Sequence, residues 1–164
     1  GLMLTIIVAM DQKNGIGYQG KLPWHLKNEL KHFKEVTYGH LLIMGETTYK
    51  GIGKPLPGRK MLIATKDPSY HPEGVLITDD LKTTLKKYAK IADEVFICGG
   101  KSIYDQAIPY ANRLLISRIK GDYLTDTDFP DYNKAEFELI KTEEHDEFKV
   151  EEYLRKGEIR CAKQ

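Results

Sequence analysis

The chain has 164 residues, 41% of them hydrophobic, which suits one domain with one sizeable core and excludes general disorder. Lys and Arg number 25 against 24 Asp and Glu, so a net charge of +1 gives no general attraction to nucleic acid or membrane surfaces. No apolar run approaches membrane-spanning length, and the two cysteines, Cys98 and Cys161, lack disulfide-framework or metal-ligand spacing, which points to a reduced, cytoplasmic setting and no metal site.

Gly1-Leu2 reads as a tag remnant ahead of a natural start at Met3, with one domain over 3–157 and a tail over 158–164. Residues 4–10 form a continuous apolar run, expected to be a central strand buried on both faces. A polar loop follows from Asp11 to Lys21, and its Gly15, Gly17 and Gly20 suit either an ordinary long connection or a mobile segment able to close over a site.

Pro23 disfavours helix at Leu22, and a helix is expected from Leu26 to about Tyr38. Projected at ~100° per residue, Leu26, Leu30, Phe33 and Val36 fall on one face. Glu29 points the same way, and no cation shares its face at helical spacing. A carboxylate there is costly to desolvate unless a partner supplies hydrogen-bond donors. The ordinary reading is an acid at the stripe's edge, reaching water; the functional reading is an acid waiting for a ligand.

A second strand is expected at 40–45, running directly into a short helix from Glu46. Pro57-Gly58 suits a type II turn that holds Arg59 on a stiff backbone. Residues 61–64 and 75–77 are further strands, and Thr78 is placed to cap a helix through about Ile91 with Leu81, Leu85 and Tyr88 inward. The strand at 94–98 runs into Gly99-Gly100-Lys101-Ser102 and a helix carrying Ile103, Tyr104 and Ala107. Both strand-to-helix junctions offer backbone N–H groups to an anion, although many such junctions are only structural turns. A sixth strand spans 113–119, Asp126 to Pro130 is a loop, and two partly exposed strands close the chain at 137–142 and 148–154. Strands spaced by helices argue an α/β fold with a mainly parallel sheet, whose ligands bind beyond the strands' carboxyl ends.

Read together, these pieces resemble dihydrofolate reductase of the bacterial chromosomal type. The likeness rests on Asn14-Gly15-Ile16-Gly17, Leu22-Pro23-Trp24, Glu29 with Leu30 and Phe33, and Met44-Gly45 with Thr48-Tyr49. It continues through residues 53–59, 98–104 and 126–130, in order along nearly the whole chain. The resemblance implies a single-domain fold with an eight-stranded, mostly parallel sheet, an antiparallel C-terminal strand and about four flanking helices. It also implies NADPH-dependent reduction of 7,8-dihydrofolate to tetrahydrofolate in a monomer that binds antifolates.

Carried over by residue, Glu29 is the buried acid that holds the pterin and assists protonation of N5, Trp24 orders water beside it, and Leu22 gates it. Ser117 is the acid's hydroxyl partner. Ile7, Val8, Ala9 and Cys98 line the pterin site, where the carbonyls of Ile7 and Cys98 accept from an antifolate's 4-amino group. Leu30, Phe33, Ile52 and Leu56 flank the aminobenzoyl ring, and Arg59 binds the glutamate α-carboxylate. Ala9, Ile16, Gly17 and Tyr104 surround the nicotinamide. Gly45, Glu46, Thr47, Thr48, Gly99, Gly100, Lys101, Ser102 and Ile103 hold the cofactor's phosphate run, and Thr65 with Lys66 the adenosine 2′-phosphate.

The chain departs from the family's pattern at Glu46, where a basic residue is usual, so repulsion is expected to leave the 2′-phosphate to Lys66. The connection at 144–147 looks short, and Lys101 stands where some members have a third glycine. Two other readings share the architecture: a pyrimidine reductase of riboflavin synthesis, which has no need of Trp24 and Glu29, and a non-catalytic module binding pterin and NADPH.

Overall fold

The computed structural model describes residues 3–90 and 93–157. In chain order the elements are β1 (Met3–Met10), β2 (Gly15–Gly17), α1 (Lys27–Thr37), β3 (Leu41–Gly45), α2 (Glu46–Ile52), β4 (Lys60–Ala64), β5 (Leu76–Thr78) and α3 (Leu81–Tyr88). They continue with β6 (Glu94–Ile97), α4 (Lys101–Ala107), β7 (Arg113–Ile119), β8 (Thr127–Asp128), β9 (Phe137–Glu144) and β10 (Phe148–Arg155).

Eight strands form one sheet in the order β5-β4-β3-β6-β1-β7-β10-β9. Pairing is parallel from β5 through β7, while β10 runs antiparallel to both β7 and β9. The unbroken apolar run of β1 suits its place between β6 and β7, because helices cover both faces there. Leu4, Ile6 and Val8 pack on the face covered by α3 and α4, with Leu81, Leu85, Ile103 and Ala107. Ile7, Met44, Phe96 and Leu115 pack on the other face, with Leu26, Phe33 and Val36 of α1 and Tyr49 and Ile52 of α2. Among the described residues, no helix is long and apolar enough to cross a membrane.

Several local expectations change. The Asp11 to Lys21 connection is not plain loop: its β2 pairs with β8, which lies inside the segment read as a loop at 126–130. Asp80, not Thr78, caps α3, accepting from the Thr83 N–H at 3.1 Å, while the Thr78 hydroxyl turns to the Asp80 N–H. An aspartate at this position outcompetes the threonine because its carboxylate is the stronger acceptor for the first-turn N–H. The inner face of α1 is rolled away from Leu30, which is 47% exposed, so the helix's buried residues are Glu29 and Thr37. The connection at 145–147 is short, as expected, and the β9–β10 register shifts between Glu152 and Tyr153, where Ile140 of β9 is passed over. Expectations on Gly1, Leu2, Ile91, Cys161 and the segment 158–164 lie outside the described residues.

Leu85 is fully buried beneath the sheet, so Leu85→Ala is predicted to cost about 2–5 kcal/mol in urea unfolding. A loss under about 1 kcal/mol would mean that α3 does not seal this face as described.

Candidate active site

Leu26 stands at the N-cap of α1 with no side-chain cap, and the Leu30 N–H returns to its carbonyl at 3.0 Å. The helix therefore starts immediately after the Leu22-Pro23-Trp24 loop and carries Glu29 in its first turn. That position places the acid near the positive end of the helix, yet it is only 9% exposed. No hydrogen bond or ion pair from the described residues reaches its carboxylate, and burial pushes its pKa from 4.5 up to about 7. Trp24 is also buried, edge-on to Tyr123 at 5.4 Å, and its indole N–H has no acceptor among the described residues. Buried polar groups are normally satisfied, so an unpaired donor and an unpaired acid close in sequence mark a place for a polar ligand or water.

Tyr104 is buried under the ends of β1 and β6 and donates to the Ile7 carbonyl at 2.9 Å. Burial pushes its phenol upward, and the electrostatic influence of the nearby Cys98 and Glu29 acts in the same direction. Ile7's carbonyl thus already serves one donor, keeping a second lone pair for a ligand. Val8 is buried, and Ala9 and Cys98 are half-buried at the strand ends; burial pushes the Cys98 thiol up. Ser117 pairs with Ala9 across β1 and β7 and is buried. No hydrogen bond joins it to Glu29.

The cleft wall is apolar and partly open. Leu22 is 52% exposed, while Phe33, Ile52 and Leu56 are half-buried. A groove of about 870 Å³ runs along the outer flank of α1, lined by Lys27, Leu30, Lys31, Lys34, Tyr38 and Arg59 among others. Glu29 is not part of it, so it suits the anionic tail of a ligand, not the reacting ring. Arg59 is fixed there by the Thr37 hydroxyl at 3.0 Å and by the carbonyls of Pro57 and Lys34. These bonds use three of its five N–H groups, leaving two for a carboxylate. Gly58, at φ +76°, supplies the turn that aims it.

The two strand-to-helix junctions lie side by side, because the Gly45 N–H donates to the Gly99 carbonyl at 2.8 Å. Gly99 is at φ +108°, and a Cβ there would meet the Tyr104 ring at 3.2 Å. Gly45 and Gly100 are the N-caps of α2 and α4, and neither helix has a side-chain cap. Their first-turn N–H groups, beside Thr47, Thr48 and Lys101, fit a dinucleotide's diphosphate. Ile103 is buried below them, and the Ser102 hydroxyl accepts from Gln106 at 3.0 Å.

Glu46 is not the bare repelling charge expected. Its two oxygens accept from the Thr65 hydroxyl and the Lys50 ammonium, each at 2.5 Å, and these bonds hold its carboxyl below the ordinary value. Lys66 donates to the Asp79 carbonyl. Lys50 escaped notice as a site residue, although its place four residues after Glu46 is the readable signature of a helical ion pair.

The loop carrying Ile16 and Gly17 is pinned at several points. Asp11 accepts from the Gly15 N–H at 2.8 Å, the Gly17 carbonyl accepts from the Asp126 N–H at 2.9 Å, and Asp126 accepts from the Gln19 N–H at 2.8 Å. Arg118 bridges Asn14, at 2.9 Å, to the buried Glu151, at 3.0 Å. None of Asp126, Arg118 or Glu151 was predicted, since nothing in local spacing links them to the loop.

Comparison with known proteins agrees with this geometry. The family described as dihydrofolate reductase matches residues 3–156. A dihydrofolate reductase of Bacillus subtilis (strain 168) is 37% identical over 142 residues, 87% of this chain and 84% of its own. That of Staphylococcus aureus (strain Mu50 / ATCC 700699) is 37% identical over 143 residues, 87% of each chain. The structure of dihydrofolate reductase from Enterococcus faecalis complexed with NADP(H) and RAB-propyl superposes with a TM-score of 0.87 at 34% identity, covering 94% of this chain and 96% of that one.

The raised pKa of Glu29 carries a stability consequence. Between pH 4.5 and about 7 the folded chain keeps a proton that the unfolded chain has released. The stability gained from the neutral carboxyl is complete below pH 4.5 and is lost as pH rises through about 7. Glu29→Gln cannot ionise, so its stability relative to the parent should improve by about 3 kcal/mol between acid and alkaline pH. Urea unfolding across that range checks this, and a pH-independent difference would mean the acid is not desolvated.

Proposed function

The chain belongs to the dihydrofolate reductase family, and we propose that it performs that family's reaction with Glu29 as its proton-handling residue. It reduces 7,8-dihydrofolate to 5,6,7,8-tetrahydrofolate with NADPH, which when bound supplies the hydride received at C6 of the substrate. The observation that carries the reading is the unpaired, buried carboxylate of Glu29, adjusted by its surroundings to a value near neutrality. A general acid works best when its pKa lies near the working pH.

Glu29 accepts hydrogen bonds from the pterin's ring N–H and 2-amino groups, the donors its own helix lacks. It favours protonation at N5 through water held near the Trp24 indole N–H. Leu22, on the exposed side of the same loop, regulates access of that water. Ile7, Val8, Ala9, Cys98, Tyr104 and Ser117 form the floor under the pterin, and Leu30, Phe33, Ile52 and Leu56 the walls around the aminobenzoyl ring. Arg59 takes the glutamate α-carboxylate. Ile16, Gly17, Ala9 and Tyr104 face the nicotinamide, and the paired glycine junctions take the diphosphate. Pairing of Glu46 with Lys50 lessens the charge conflict that favoured a non-catalytic binding module. The same reading places the chain in the cytosol as a monomer that binds antifolates; the buried free thiol of Cys98 suits a reducing compartment.

Loss of NADPH absorbance with dihydrofolate present tests the reaction. Glu29→Gln is expected to slow turnover by about 10²–10⁴-fold. The hydride-transfer rate of the parent should fall as pH rises through about 7, while the variant's profile is flat across that step. Turnover by the variant within a few-fold of the parent would remove Glu29 from the chemistry.

A further inference from the structure

The exposed end of α2 holds a small anion site that is filled from within. Glu46 presents one oxygen to the Thr65 hydroxyl and the other to the Lys50 ammonium, both at 2.5 Å. Lys50 is solvent-exposed and also lies over the Tyr70 ring, 5.0 Å from its centroid, a contact that steadies the ammonium beside Glu46. Asp67, one further acid nearby, turns to Ser69, and Lys66 donates to the Asp79 carbonyl. The cation that shares Glu46 with the Thr65 hydroxyl is Lys50. A phosphate monoester accepts from the same hydroxyl and ammonium as a carboxylate, and with more charge.

From this arrangement, and resting on the reductase reading, we infer that Lys50 and Glu46 together set the choice between NADPH and NADH. The 2′-phosphate of NADPH displaces Glu46 and takes Lys50 and Thr65 as its partners. With NADH no phosphate competes, and Glu46 stays in place as an acceptor for ribose hydroxyls, the role an acid commonly has toward NAD. Lys50 favours the phosphorylated cofactor and Glu46 the other. Their ion pair lowers discrimination below what the cation alone would give.

The test is direct binding, by calorimetry, of NADPH, NADH and adenosine 2′,5′-bisphosphate to the parent, Glu46→Gln and Lys50→Gln. The readout is the ratio of the NADH to the NADPH dissociation constant. Glu46→Gln should raise the ratio about tenfold and Lys50→Gln lower it about tenfold, matching gain or loss of one charge-assisted contact. The bisphosphate should follow NADPH, and both effects should shrink at high salt. Ratios within about twofold of the parent in both variants overturn the assignment while leaving the reductase reading intact. Failure of the parent to bind either dinucleotide overturns both.

Discussion

One desolvated carboxylate organises this molecule. Glu29 occupies the inner face of α1 where an apolar residue would cost nothing, and no described residue donates to it. A buried charge without a partner is among the most expensive features a fold can carry, and the usual outcome is a pKa shift that neutralises it. Here the shift stops near neutrality, so both protonation states are accessible at working pH. Retaining such a group makes sense only where a ligand completes it.

On the proposed reading, that ligand's other contacts come from the ends of parallel strands. β1, β3, β6 and β7 all point their carboxyl ends toward the same side, and the loops there are tied to one another, Gly45 to Gly99 and Tyr104 to Ile7. Of these two bonds only the one from Tyr104 uses a side chain. The apolar interior on both sheet faces keeps the strand ends in register, which in turn holds the acid and the glycine junctions in one frame.

Much of this was legible from the chain. The apolar run of β1 announced a central strand, and the 3.6-residue period exposed Glu29 as an inward acid. The same projection could not separate Glu29 from Leu30, because a modest roll of the helix buries one and bares the other, and only the packing partners fix the roll. The β2–β8 pair escaped because Gly15 and Gly17 have no side chains to alternate and their partner strand lies far along the chain. The clamp from Arg118 to Asn14 and Glu151 joins three separate segments, so no local pattern contains it. Repulsion by Glu46 was inferred from its charge alone, without its neighbours Lys50 and Thr65, which no single local pattern ties together to the carboxylate.

Two glutamates of this chain therefore take opposite courses. Glu29 is deprived of water and partners, so its proton is held more firmly. Glu46 is given an ammonium and a hydroxyl, so its proton is lost more readily. The residue type is the same, and both stand in the first turn of a helix, where the dipole acts on them alike. The helix end thus cannot explain the difference; burial and direct hydrogen bonds do. On the proposed reading, the consequence is a division of chemistry, with an acid able to exchange a proton where the pterin would sit and a fixed anion where the cofactor's ribose would sit. Exchanging their surroundings, not their identities, would exchange their roles.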